Sequence, residues 1–302
     1  MSCRRSRLGS RITSWTRLRA GAVELDGFSS KWKCSDVLLF GLLVCGVSWL
    51  LEVAASILPQ FVVTIPRGGI SVDSGTGLLA AASLVPAVFL LGWSRECRAA
   101  SVRFRAGIHV YGLALAIGFL LPFSSYIGAG HSYPLWDAGT SVRLVRVFLI
   151  NLLLSPLWEE IIWRGYFYQK LGSMLRASHA LLVAGLGWAI WHIGFLFYLH
   201  SAGIAMRFLA VLAIQLFLVG LVACCVFTLG KGSLLPCVLL HTAFNSATSI
   251  YYGAYGRTAD IGSYIAETVA VLLVALVLAA VVIKRQSRVR FTSETPVAGP
   301  QE

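Results

Sequence analysis

The sequence predicts an all-α fold, a polytopic membrane helix bundle of about eight transmembrane helices with both termini in the cytoplasm. Three observations predict it: an apolar composition, eight long apolar stretches, and Lys and Arg gathered on one side of them. Of 302 residues, 57% are hydrophobic and 13% are charged, and the mean hydropathy is +0.77. A soluble chain carries about a quarter charged residues. A single soluble domain could not hide this much apolar surface, so the bilayer is the solvent. That excludes a cytosolic globular enzyme. The net charge of +12 would suit nucleic acid, but the cations follow membrane topology, and no nucleic-acid partner is expected.

The apolar stretches run over residues 37–58, 77–93, 108–123, 145–169, 180–198, 208–229, 234–252 and 264–283. Each approaches the roughly 20 residues a spanning helix needs; the second and third are the shortest. Interior Gly and other small residues are frequent, as expected where helices pack without a hydrophobic drive between them. With the N-terminus inside, 20 of the 25 Lys and Arg fall on the cytoplasmic side and five on the other. This is the positive-inside asymmetry, and it supports eight spans with cytoplasmic termini.

The spans divide the chain into a basic segment (1–35), three N-terminal helices (36–143), a core of four helices (144–253), an eighth helix with a basic flank (254–290) and a polar tail expected to be disordered (291–302). In the basic segment Leu8, Ile12, Trp15 and Leu18 recur at helical spacing. An amphipathic helix on an anionic leaflet and a solvated tail fit this pattern equally. Arg4-Arg5 lacks an apolar run before Val37, so no cleaved signal is expected. Of seven cysteines, Cys45, Cys224, Cys225 and Cys237 lie in spans, and Cys3, Cys34 and Cys97 on the reducing side. No C-x-x-C pair occurs, so neither a disulfide framework nor a thiolate metal site is expected.

Charged groups inside spans are expensive, and each is a functional candidate. Glu52, Glu159, Glu160 and Glu267 qualify. In Trp158-Glu159-Glu160-Ile161-Ile162-Trp163-Arg164 two adjacent carboxylates meet a cation one turn beyond. Glu160 and Arg164 are spaced to pair, while Glu159, about 100° around the helix, is left to face a cavity. His192 follows Trp188 by one turn, and His241 and Asn245 share a face at i, i+4. At 1.5 Å per residue, Glu159 lies about 16 Å from the inner surface, His192 about 18 Å, His241 about 10 Å and Asn245 about 16 Å. Three helices thus bring rare polar groups to similar depth, which scattered structural residues would not do.

These motifs together resemble the CPBP family, the CAAX-processing endopeptidases of the Rce type and the bacteriocin-processing or immunity (Abi) proteins. The likeness covers about residues 145–252. It implies a metal-free intramembrane glutamic endopeptidase in which Glu159 is the catalytic glutamate and Glu160 with Arg164 its supporting pair. His192 would position the water, and His241 and Asn245 would stabilise the oxyanion. Where the family usually has Phe, four residues before the first histidine, this chain has Trp188, a swap expected to preserve packing.

The residue chemistry agrees. A carboxylate facing a cavity can serve as general base toward water, and His241 and an Asn amide can meet developing carbonyl charge. No H-E-x-x-H or serine-elbow motif occurs and no span contains Asp. A zinc site built from Glu159, His192 and His241 ranks lower. A salt-bridge network that only ties helices together is the plain alternative for the Glu159–Glu160–Arg164 cluster. Trp158, Trp163, Trp188 and Trp191 are packing residues or cavity walls. His109, His131, His179 and His200 receive no role, and Glu52 and Glu267 fall outside the family pattern.

The expected partners are the bilayer and a peptide or protein substrate, lipidated or not. No cofactor is expected. A prenylated C-terminus, a bacteriocin leader and a membrane-anchored precursor all fit. The 20 Arg against five Lys point to a GC-rich prokaryote, hence to a bacterial cytoplasmic membrane and a peptide precursor. Two other functions compete: a transporter relaying protons or ions, disfavoured by the lack of a repeated half and of matched broken helices, and a non-catalytic immunity or scaffold protein.

Overall fold

The computed structural model describes residues 34–58, 62–65, 70–93, 105–128, 138–255 and 261–294. Expectations about residues 1–33, Cys97, His131 and the tail from 295 lie outside the described residues. The described chain is helical apart from one hairpin, β1 (Val62–Ile65) and β2 (Ile70–Asp73), paired antiparallel with Val62 opposite Asp73 and Ile65 opposite Ile70. Both strands are rich in β-branched residues, whose side chains suit a pleated surface. This hairpin is an addition to the all-helical expectation.

The helices are α1 (Cys34–Ile57), α2 (Ser74–Trp93), α3 (Ile108–Gly128), α4 (Ala138–Leu154), α5 (Pro156–Ile162), a π-helical turn (Trp163–Tyr168), α6 (Gln169–Met174), α7 (Ala177–Trp191), α8 (Ile193–Ser201), α9 (Met206–Leu229), α10 (Leu235–Tyr255) and α11 (Ile261–Glu294). Among the described residues, five stretches are long and apolar enough to cross a membrane: Ser35–Ile57, Ser141–Met174, Ala177–Ser201, Met206–Leu229 and Ile261–Arg285. Thr76–Gly92 and Ile108–Ser124 are shorter apolar helices. The chain is a multi-pass membrane protein. The expected span at 234–252 is helical but belongs to neither set; it carries His241, Thr242, Asn245, Ser246, Thr248 and Ser249. Helix α11 reaches Glu294, four residues into the tail expected to be disordered.

Two expected spans are interrupted. The fourth breaks at Ser155, whose φ of −141° and ψ of −64° leave the helical region. Pro156 follows, and its ring and missing N–H cannot continue the preceding ladder. The same stretch then widens into the π turn, where the Gln169 side chain donates to the Gly165 carbonyl at 2.5 Å. The fifth span breaks at His192 into α7 and α8.

Helix α10 packs on α3 and α4, α9 on α11 and α7, and α1 on α2 and α8. Glycines set the closest approaches. A Cβ on Gly118 would lie 2.5 Å from the Leu240 carbonyl oxygen and 2.7 Å from Ala243 Cβ; one on Gly220 would lie 3.0 Å from Trp188 and 3.2 Å from Gly185 Cα. Many Leu residues face outward, Leu42 71% and Leu50 74% exposed among them, while Glu52, Glu159, Glu160, Arg164, His192, His241 and Glu267 are buried. An apolar exterior around a core that also holds charged groups is what a lipid surface requires.

Gly118→Ala is expected to destabilise the bundle by about 1–3 kcal/mol, the usual cost of overpacking. Gly112→Ala, with nothing within 4 Å of the new Cβ, should leave it unchanged. Thermal unfolding in detergent compares the two.

Candidate functional site

The break at Ser155 starts α5 just before the acidic pair and puts Glu159 in its first turn, where unpaired N–H groups favour negative charge. Ser155 Oγ donates to Glu159 Oε1. On its other oxygen, Oε2, Glu159 accepts the indole N–H of Trp188 at 3.1 Å.

Glu160 turns away from the cavity into the bundle. Its Oε1 accepts Arg164 Nη1 at 2.8 Å and His241 Nδ1–H at 3.0 Å. Arg164, 1% exposed, also donates from Nη2 to the Gly220 carbonyl at 3.1 Å and lies 4.9 Å from the centre of the Trp188 ring. This network spans α5, the π turn, α7, α9 and α10.

His192 occupies the break between α7 and α8, with φ −74° and ψ 0°. Its Nδ1 lies 2.8 Å from the Trp188 carbonyl oxygen. A carbonyl only accepts, so Nδ1 carries the proton, and in the neutral ring Nε2 keeps its lone pair. That Nε2 stands 3.8 Å from Glu159 Oε2, beyond direct hydrogen bonding and within reach of one bridging water. Trp188 and Trp191 hold the ring edge-on, with centroids at 4.5 and 4.7 Å. His241 meets Glu160 through Nδ1, which leaves its Nε2 for another partner.

Glu159, His192, His241 and Asn245 line one cavity of about 470 Å³. Glu160 and Arg164 stand behind it. The structure therefore brings the six candidate residues into one assembly with two layers. Of the four tryptophans considered as walls, Trp188 and Trp191 line the cavity, whereas Trp158 and Trp163 do not. Trp188 does more than fill the place of a Phe, since its N–H binds Glu159.

Other lining residues carried no distinctive signal. Ser155 is one, although its place before Pro156 and four residues ahead of Glu159 marks a helix start. Asn151, which donates to Ser246 Oγ at 3.1 Å, is another, and Gln215 is a third. Glu52 and Glu267, outside the family pattern, line the same cavity. His109, His179 and His200 do not. Among the described residues, no group of three or more His, Cys, Asp or Glu side chains is arranged to hold a metal ion.

Residues 141–247 match the family model described as type II CAAX prenyl endopeptidase Rce1-like. This core is similar to that family. The match agrees with the resemblance carried by the Glu-Glu-x-x-x-Arg, Trp-x-x-x-His and His-x-x-x-Asn motifs. The matched segment holds all six candidate residues, while Glu52 and Glu267 lie outside it. It supports a CAAX-type intramembrane protease role in general terms. No curated protein matches the chain.

Removing one member of a buried ion pair strands the other, at a cost of about 3–5 kcal/mol. Glu160→Leu and Arg164→Met are each expected to destabilise the bundle on that scale. The double variant should lose less than either single change, because two apolar side chains leave no uncompensated charge. Unfolding free energies of the three variants test this.

Proposed function

We propose that the protein is an intramembrane glutamic endopeptidase that hydrolyses a peptide bond in a membrane-associated or lipidated peptide or protein, without a metal. The observation that carries this reading is the 3.8 Å separation of Glu159 Oε2 and His192 Nε2 at the cavity wall. Glu159 is held by Ser155 and the Trp188 indole, His192 by the Trp188 carbonyl, and both line the same cavity.

A water there donates one hydrogen to Glu159 and the other to His192 Nε2. Glu159 takes its proton as the water oxygen adds to the substrate carbonyl carbon. The oxyanion is met by the Asn245 amide N–H and by the His241 ring. Glu159 then returns its proton to the amide nitrogen, the C–N bond breaks, and an acid and an amine leave with no covalent enzyme intermediate.

The one-sided basic residues orient both termini toward the cytoplasm. The Arg-rich composition favours a bacterial cytoplasmic membrane and a membrane-anchored peptide precursor as substrate. A second reading, ion or proton transport, gains from two observations: broken helices flank the cavity, and Glu52, Glu159 and Glu267 all line it.

Peptide release from a pooled set of membrane-anchored and lipidated peptides in liposomes decides between them. Wild type should cleave, with and without a strong chelator, and Glu159→Gln should lose at least about 100-fold, the lower range for a general base. Cleavage that survives Glu159→Gln sinks the proposal. Cleavage abolished by chelation and restored by zinc reassigns Glu159, His192 and His241 as metal ligands.

A further inference from the structure

Helix α1 lies outside the matched segment, yet it reaches the break that carries His192. In a continuous helix the Phe195 N–H would donate to the Trp191 carbonyl. Here α7 ends at Trp191 and α8 begins at Ile193. The Trp191 carbonyl instead accepts the indole N–H of Trp49 at 2.9 Å, and the Glu52 carboxylate lies against the start of α8, where it faces the Phe195 N–H. Trp49 and Glu52 are three residues apart on one face of α1. The carbonyl end of that rung is thus taken by a donor from α1, and its N–H end faces an α1 carboxylate.

The fit is close. A Cβ on Gly194 would collide with Glu52 Oε2 and lie 2.9 Å from Trp49 Cδ1. Glu52 is 3% exposed, a costly place for a carboxylate unless it serves unpaired backbone donors such as those at the start of α8. The next rung persists, from Leu196 N–H to the His192 carbonyl at 2.8 Å. On the other side of the break the ladder is loosened. The His192 N–H reaches the Trp188 carbonyl only at 3.4 Å and shares itself with Ala189 at 3.2 Å. The same Trp188 carbonyl takes the shorter bond from the His192 ring, at 2.8 Å. The break therefore frees the acceptor that holds the ring.

We infer that Trp49 and Glu52 are positioning residues: by facing both ends of the missing rung they hold the α7–α8 helix open at His192 and so aim its Nε2 at Glu159. The catalytic consequence rests on the endopeptidase reading; the structural one does not.

The test uses the full-length protein in nanodiscs, with two readouts. Nitrogen-15 spectra of labelled histidine report the His192 ring, assigned by loss of its signals in His192→Gln. Peptide release gives kcat and KM. In Glu52→Ala the His192 ring should leave its single Nδ1–H tautomer, and kcat should fall about ten- to hundredfold, the scale of a misplaced catalytic group, with KM little changed. Glu52→Gln keeps an oxygen for the Phe195 N–H and should restore both readouts. Trp49→Phe removes one donor and should act in the same direction, which keeps the test alive if Glu52→Ala does not fold. Unchanged ring signals in Glu52→Ala and in Trp49→Phe overturn the inference, as does a Glu52→Gln variant that behaves like Glu52→Ala. A disturbed ring in a protein whose peptide release is absent, or is equal in wild type and Glu159→Gln, upholds the positioning role and fails the endopeptidase reading instead.

Discussion

A carboxylate removed from water inside an apolar bundle persists only where cations and N–H groups replace its hydration. Glu160, with 0% exposure, is that case, and it collects Arg164 and His241 on a single oxygen. Arg164 extends the network to the Gly220 carbonyl, reachable because α7 and α9 approach closely at Gly185 and Gly220. If any partner moves, an uncompensated charge remains in a low-dielectric interior. The network therefore fixes how α5, α9 and α10 stand relative to one another, and with them the cavity wall that Glu159 and His241 share.

Around that fixed centre the helices are irregular where the polar groups are. Ser155 and Pro156 interrupt one span immediately before Glu159, the π turn follows Glu160, and His192 is itself a break. Each interruption detaches backbone groups from the ladder, and nearby side chains re-engage them: Trp49 and Glu52 at one break, Gln169 at the π turn. Irregular backbone at membrane depth is tolerated where it lines a cavity or is buried in protein. Here the freed groups also orient the side chains that face Glu159, so the irregularity and the site have one origin.

Much of this was legible in the sequence. Helix positions followed from apolar runs, and the i, i+4 spacings of Glu160 with Arg164 and of His241 with Asn245 placed those residues on shared faces. Hydropathy, however, averages over some 20 residues, and it merged α4 with α5 and α7 with α8 into single spans. Glu52 looked unexplained because it faces a backbone N–H, which every residue but proline carries. Trp188 read as a bulky stand-in for Phe because packing depends on size, whereas its hydrogen bond depends on where one nitrogen points. The hairpin between α1 and α2 is four residues per strand, too short to stand out from the turn residues around it.

The cavity volume has a bearing on reactants as well as on residues. At about 30 Å³ of liquid volume per molecule, 470 Å³ corresponds to on the order of ten waters. Lipid, by contrast, dissolves almost none. A hydrolysis of the proposed kind consumes one water per turnover and would starve in a site sealed around a single trapped molecule. The half-open cavity is, in effect, a reservoir that holds the second reactant beside the groups that use it.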